Sequence, residues 1–271
     1  MSRASLRRTI GSARTRRARR SVRKEHRLKL DVLYEDNHLL VVNKPPGMVT
    51  QGAPSGQVSL HRLACAYLKE KYQKPGKVYL GVVSRLDRGV SGVVVFARTS
   101  KAAARLSAAL RERRVTKLYW ALVSPPPREA EGVWQDFVQR QPHERRTRVV
   151  ERLTLAQDDA SHCSPDAMVE QSGCRDARAQ YRVLRTAGRV ALVEVELITG
   201  RKHQIRAQAA ARGTPVVGDR LYGSRLSFPS GIALHARRLV LPHPTQPQTI
   251  TVEAPLPPAW RQFGPAWQKL A

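Results

Sequence analysis

The run Val78-Tyr79-Leu80-Gly81-Val82-Val83-Ser84-Arg85-Leu86-Asp87-Arg88-Gly89-Val90-Ser91-Gly92-Val93-Val94-Val95-Phe96-Ala97 joins two apolar segments through a charged loop. Residues 78–83 and 93–97 are short and rich in β-branched side chains, which predicts two strands. The second has no polar alternation and reads as buried on both faces. In the loop, Asp87 lies between the guanidinium groups of Arg85 and Arg88. Two such charges favour an ionised carboxylate, and a positioned, ionised carboxylate can act as a nucleophile or a base. Taken alone, Arg-x-Asp-Arg is more often a salt bridge at a strand end.

Working outward, residues 31–36 and 38–43 read as strands, ended by Lys44-Pro45-Pro46-Gly47, because proline cannot continue a ladder. Residues 60–72 have a helical pattern stopped at Pro75-Gly76. Ser100 is expected to cap an Ala-rich helix reaching about Arg114, followed by a strand over 118–123. A polar stretch follows. Residues 156–177 are acidic and read as a solvated insertion. Residues 181–184 and 190–198 suggest a hairpin, Thr199-Gly200 opens a helix over 202–212, and short strands over 234–241 and 249–252 precede a Pro-rich end. Irregularly interleaved strands and helices predict an α+β fold with a mixed, largely antiparallel sheet, flanking helices and a central basic cleft.

The 271 residues carry 48 Lys+Arg against 21 Asp+Glu, a net charge of +27. That excess points to an anionic partner, nucleic acid first. Arginine supplies 37 of the 48 basic residues, and its planar guanidinium suits phosphate and stacked bases. Residues 1–29 hold 12 of these charges against Glu25, a net of +11, and are expected to be a disordered cationic tail; residues 30–271 then form the folded domain with +16. About 30 arginine-rich residues are too few to build a separate RNA-binding domain. Three cysteines form no even framework and no apolar run is long enough to span a bilayer, so no membrane association and a reducing, cytoplasmic setting are expected. The Arg- and Ser-rich start also has the composition of a mitochondrial transit peptide. His162, Cys163 and Cys174 lack the spacing of a zinc site, and Gly213–Gly223 lacks nucleotide-loop spacing, so neither metal nor cofactor is expected. His203 and His235 read as hydrogen-bonded structural residues, and Trp260 and Trp267 as packing for the C-terminal segment.

Five segments occur in a telling order: Asn43-Lys44-Pro45-Pro46-Gly47; Arg85-Leu86-Asp87-Arg88 with Ser91-Gly92; Lys117-Leu118-Tyr119-Trp120-Ala121-Leu122; Thr199-Gly200-Arg201-Lys202-His203-Gln204-Ile205-Arg206; and Gly218-Asp219-Arg220-Leu221-Tyr222-Gly223. From about Val32 to Leu241 the chain resembles the RluA-type family of RNA pseudouridine synthases. The resemblance implies an isomerase that turns uridine into pseudouridine in structured RNA, ribosomal or transfer, without cofactor, metal or obligatory protein partner. It places the essential aspartate at Asp87, acting on the sugar as nucleophile or base. Arg85 becomes the arginine that displaces the flipped nucleotide, and Arg88 a second phosphate contact. Tyr119 becomes an aromatic platform for the base, and Arg206 the arginine that pairs with Asp87. Lys202 and Ile205 fall on the same helix, the first toward phosphate and the second toward the apolar side of the base. The N–H groups of Thr199-Gly200-Arg201 would offer an anion site at the helix start. Ser84 stands where the family usually has histidine, and Gly89-Val90 where it has an acid and threonine, so the loop's shape is the feature in question. Two other classes fit the charge: a non-catalytic RNA-binding or ribosome-assembly protein on the same fold, and a DNA-binding regulator. The first has no use for Asp87, and the second lacks a helix-turn-helix or zinc spacing.

Overall fold

The hydrophobic run Leu39-Leu40-Val41-Val42 and its partner Val93-Val94-Val95-Phe96 are buried along their whole length. Their strands, β2 (Leu39–Lys44) and β4 (Ser91–Ala97), pair antiparallel from Leu39 opposite Ala97 to Lys44 opposite Gly92. One face of the pair (Leu40, Val42, Val94, Phe96) packs on α1 (Leu60–Lys71) through Leu60, Ala64 and Leu68. The other (Leu39, Val41, Val93, Val95) packs on α2 (Ser100–Arg111) through Ala102, Leu106 and Ala109. Helices on both faces explain why neither strand alternates.

The structure is a computed structural model of the chain and describes residues 29–150, apart from 142, 143 and 145, and residues 173–263. The expected tail over 1–29 except Lys29, most of the acidic insertion, Cys163 and Trp267 lie outside the described residues. Among the described residues eleven strands form one sheet. The remaining ones are β1 (Val32–Glu35), β3 (Gly81–Val82), β5 (Thr116–Val123), β6 (Glu131–Gln141), β7 (Arg146–Val150), β8 (Cys174–Ala187), β9 (Val190–Leu197), β10 (Leu234–Pro242) and β11 (Thr249–Glu253). Their order is β1-β2-β4-β10-β5-β9-β8-β6-β7, with β11 on β10 and β3 on β4. Every pairing is antiparallel except β4 with β10. The fold is α+β, with a mixed, largely antiparallel sheet, as the sequence predicts. A third helix, α3 (Gln204–Ala211), buries Ile205 and Ala209 in the same core cluster as Trp120, Leu122 and Val193 of the central strands. Among the described residues no helix is long and apolar enough to cross a membrane.

Several expectations change. The strand expected over 78–83 shrinks to Gly81–Val82. The free edge of β4 is shared: β10 takes Ser91 and Gly92, and β3 takes Phe96 and Ala97. The chain from Val83 onward peels away in the gap between them. There Ser84 Oγ accepts the N–H of Val95 at 3.4 Å, giving the uncovered edge a side-chain partner. The helix cap is Thr99, whose Oγ1 accepts the N–H of Ala102, and Ser100 is the first helical residue. The polar stretch after Pro127 holds β6 and β7. Only Trp134 and Val138 of β6 are buried, so the sequence carries little apolar periodicity. Residues 174–177, expected within the insertion, begin β8 and pair with β6. Trp260 is buried in the main core.

The parallel junction depends on Gly92. Its φ is +113°, and an added Cβ would stand 2.2 Å from the Ala236 carbonyl oxygen. Gly92→Ala is therefore expected to destabilise the protein by about 2 to 3 kcal/mol through overpacking and left-handed strain. Urea denaturation checks this, and a midpoint equal to wild type would refute the close approach.

Candidate active site

Asp87 lies where the loop leaving β3 turns back toward β4. Thr50 fixes the preceding residue, its Oγ1 donating to the Leu86 carbonyl at 3.0 Å and accepting the Leu86 N–H at 3.1 Å. Lys44 fixes the following one. It is fully buried, and its ammonium donates to the carbonyls of Pro45, Met48 and Arg88 at 2.9, 2.8 and 3.3 Å. Burial pulls Lys44 down to about 7 against the opposing charge of Asp87. Arg88 turns the same way: its Nε donates to the Gly47 carbonyl at 3.0 Å, while the Gly47 N–H donates to the Arg88 carbonyl at 2.7 Å. Arg88 thus ties the loop to the Lys44–Gly47 turn and does not line the cleft. Arg88, expected beside the carboxylate as a phosphate contact, stands instead at this turn with its side chain exposed.

Arg206 is the cation that meets Asp87. Its Nε and Nη2 fork onto Asp219 Oδ2 and Oδ1 at 2.6 and 2.9 Å, and its Nη1 reaches Asp87 Oδ2 at 3.0 Å. Asp219 is 1% exposed. Burial opposes the guanidinium's charge, yet Asp219 and then Asp87 more than offset it and raise its pKa. The Tyr222 ring supports the guanidinium at 4.9 Å. His203 Nε2 stands 3.5 Å from the same Asp87 oxygen. Both groups converge on Oδ2, and among the described residues no hydrogen bond reaches Oδ1.

A cleft of about 630 Å³ opens over this carboxylate, large enough for a nucleoside-sized group. Asp87 is the one acid among its described lining residues. Arg85, Arg111, Arg113, Lys117, Arg201 and Lys202 line it as well. Arg85 and Lys202 are exposed, Ile205 is buried at the wall, and Tyr119 stands half-buried on β5. Burial, then the charge of Asp87, raises the Tyr119 phenol, so it keeps its proton at neutral pH. The cleft brings together Arg85, Asp87, Tyr119, Lys202, Ile205 and Arg206 as expected, leaving out Arg88.

The helix start differs from its expectation. His203 has φ +55°, so α3 begins at Gln204 and Lys202 lies in the turn before it. The Thr199 N–H donates to the Arg178 carbonyl and the Arg201 N–H to Gln204 Oε1. These donors are taken, so the anion site expected at this turn is not formed by them. His235 is structural as expected, held between Ser91 Oγ and the Ala254 carbonyl. Asp219, Lys44 and Thr50 have roles that sequence reasoning misses, although Lys44 and Asp219 lie in quoted motifs. A buried acid carries no local signal of a partner thirteen positions earlier in the chain. Among the described residues no cluster of three or more His, Cys, Asp or Glu could hold a metal.

A carboxylate fixed by an arginine in a cation-lined cleft, on a mixed sheet, can serve as a nucleophile or base beside an anionic partner. Comparison with known proteins agrees. A family model described as RNA pseudouridylate synthase matches residues 38–211. The chain is 36% identical over 240 residues to an RNA pseudouridine synthase of Synechocystis, covering 85% of this chain and 66% of that protein. It is 32% identical over 247 residues to the ribosomal large subunit pseudouridine synthase D of Xylella fastidiosa, covering 85% and 67%. It thus spans about two thirds of these relatives' own length. The fold matches human RNA pseudouridylate synthase domain containing 4 with a TM-score of 0.66 at 23% identity, covering 86% of this chain and 92% of that one. The chain belongs to the RNA pseudouridylate synthase family, a family of RNA-modifying isomerases.

Proposed function

We propose that the protein isomerises particular uridines of a structured RNA to pseudouridine, with Asp87 as the reacting carboxylate. The C1′–N1 bond breaks, the base turns, C1′ joins C5, and the proton lost from C5 is matched by one gained at N1, so substrate and product are isomers and no co-reactant is consumed. The observation that carries this reading is the carboxylate at the floor of a cationic cleft, anchored through one oxygen and, among the described residues, unpartnered at the other. A uridine stacked in RNA cannot reach that floor, so the nucleotide is flipped out first. Arg85 at the mouth fills the vacated space, Tyr119 and Ile205 face the base, and Lys202 holds a phosphate. Ribosomal RNA is the favoured substrate, since a relative is named for the large ribosomal subunit.

Mapping pseudouridines across total RNA with and without the gene, and after return of an Asp87→Ala copy, tests the reading. Sites that disappear on deletion should return with wild type and not with the variant. Sites restored by both would leave a non-catalytic RNA-binding role.

Residues 1–29 act as an electrostatic arm for the catalytic domain in this reading. Their removal is expected to weaken RNA binding and flatten its salt dependence by roughly 0.7 to 0.9 in log–log slope for each phosphate the arm neutralises. Titrations at several salt concentrations measure it, and an unchanged slope would sink the arm.

A further inference from the structure

His203 has a conformation, neighbours and a place that the proposed reaction leaves unused. Its backbone is left-handed at φ +55°, ψ 20°, which residues other than glycine seldom adopt. Its ring is 10% exposed and bridges two groups. Nδ1 lies 3.0 Å from the Tyr222 hydroxyl, and Nε2 lies 3.5 Å from Asp87 Oδ2. The Tyr222 hydroxyl is itself anchored on β7, accepting the Thr147 N–H at 2.9 Å and facing the Thr147 carbonyl as a donor at 3.2 Å. The hydroxyl has one proton. Shared between the Thr147 carbonyl and Nδ1, it lets that nitrogen accept, and the acceptor-only Asp87 carboxylate opposite draws the ring proton to Nε2. A chain from Thr147 through Tyr222 and His203 then ends on the same oxygen that Arg206 holds.

We propose that His203 is a positioning residue for the reaction: its neutral Nε2–H tautomer, favoured by the facing carboxylate and held in place by Tyr222, shares with Arg206 the task of fixing Asp87 Oδ2 so that Oδ1 stays available to the substrate. This rests on the reading that Asp87 is the reacting group. Protonation of the ring would set a second cation against Oδ2 and draw electron density from the carboxylate. The charged and titratable groups facing the ring are Asp87 from the loop, Arg206 and Lys202 from its own segment, and Asp219 and Tyr222 from the 3-10 turn Arg220–Tyr222 and its start. β7 presents Thr147, with Arg146 and Arg148 exposed. Burial lowers the ring below its ordinary 6.5, the charge of Asp87 pulls it back up in part and that of Arg206 lowers it again, so it stays neutral at pH 7.

Two substitutions separate positioning from bulk structure. Asparagine tolerates the left-handed backbone but is too short to reach Asp87. Glutamine can place an amide N–H where Nε2 stood and does not titrate. His203→Asn is expected to lower kcat by about tenfold or more, the range for a hydrogen bond to a charged group, with little change in KM. His203→Gln should recover most of that kcat and move the acid limb of the kcat–pH profile to lower pH. Wild-type kcat in the asparagine variant, an equal loss in both, or an unmoved acid limb in the glutamine variant would each overturn the proposal. A ring titration by NMR tests the pairing without turnover: removing the charge in Asp87→Asn should lower the His203 pKa by about one unit. An unmoved pKa overturns the pairing, whereas an intact pairing in a wild-type protein that forms no pseudouridine would fell only the reading beneath it.

Discussion

An Asp87→Asn variant is expected to fold, bind RNA close to wild type and form pseudouridine roughly 10⁴-fold more slowly or not measurably, the scale of losing a nucleophile or its base. Asparagine keeps the shape and removes the charge, so the loss reports chemistry. No neighbour can substitute. Asp219 is the nearest other acid in the network, but it is 1% exposed and both its oxygens are held by Arg206. Stability should hardly change, because Asp87 is 27% exposed and Arg206 keeps its two bonds to Asp219. Single-turnover assays alongside RNA-binding titrations give both numbers. Turnover within about tenfold of wild type, with binding intact, would remove Asp87 from the chemistry.

The central strands were legible because their apolar runs are continuous and short, and burial on two faces leaves that pattern. The pairing of Asp87 with Arg206 was legible through segments that follow one another in a set order. Arg88 misled for a physical reason: adjacency to Asp87 in sequence says nothing about direction, and its guanidinium turns to the Gly47 carbonyl. The partner of the carboxylate lies 119 positions away, and the partner of that partner a further 13. Only the fold brings them together. β6 and β7 escaped because an outer strand pair with two buried side chains in β6 shows almost no period. Lys44 escaped because lysine is almost never fully buried unless paired, and its partners are backbone carbonyls that a sequence does not display.

Asp219→Ala should give the opposite balance from Asp87→Asn. It leaves the Arg206 guanidinium, 8% exposed, without its forked partner, and breaking one side of such a buried pair costs about 3 to 5 kcal/mol. Activity falls as well. A released Arg206 can turn both its nitrogens onto Asp87 and occupy the oxygen that the reaction needs; a displacement of about 1 Å at this point costs on the order of 100-fold in rate. The companion double variant Asp219→Leu/Arg206→Met removes both charges and fills the space with apolar groups. Its stability should return to within about 1 kcal/mol of wild type, since apolar replacement of a buried pair is often neutral. Its activity should not return, because Asp87 then has no arginine. Urea midpoints and pseudouridine formation for Asp219→Leu, Arg206→Met and the double variant form a cycle. Strictly additive destabilisation, or a double variant with restored turnover, would show that Asp219 and Arg206 do not act as one unit beneath Asp87.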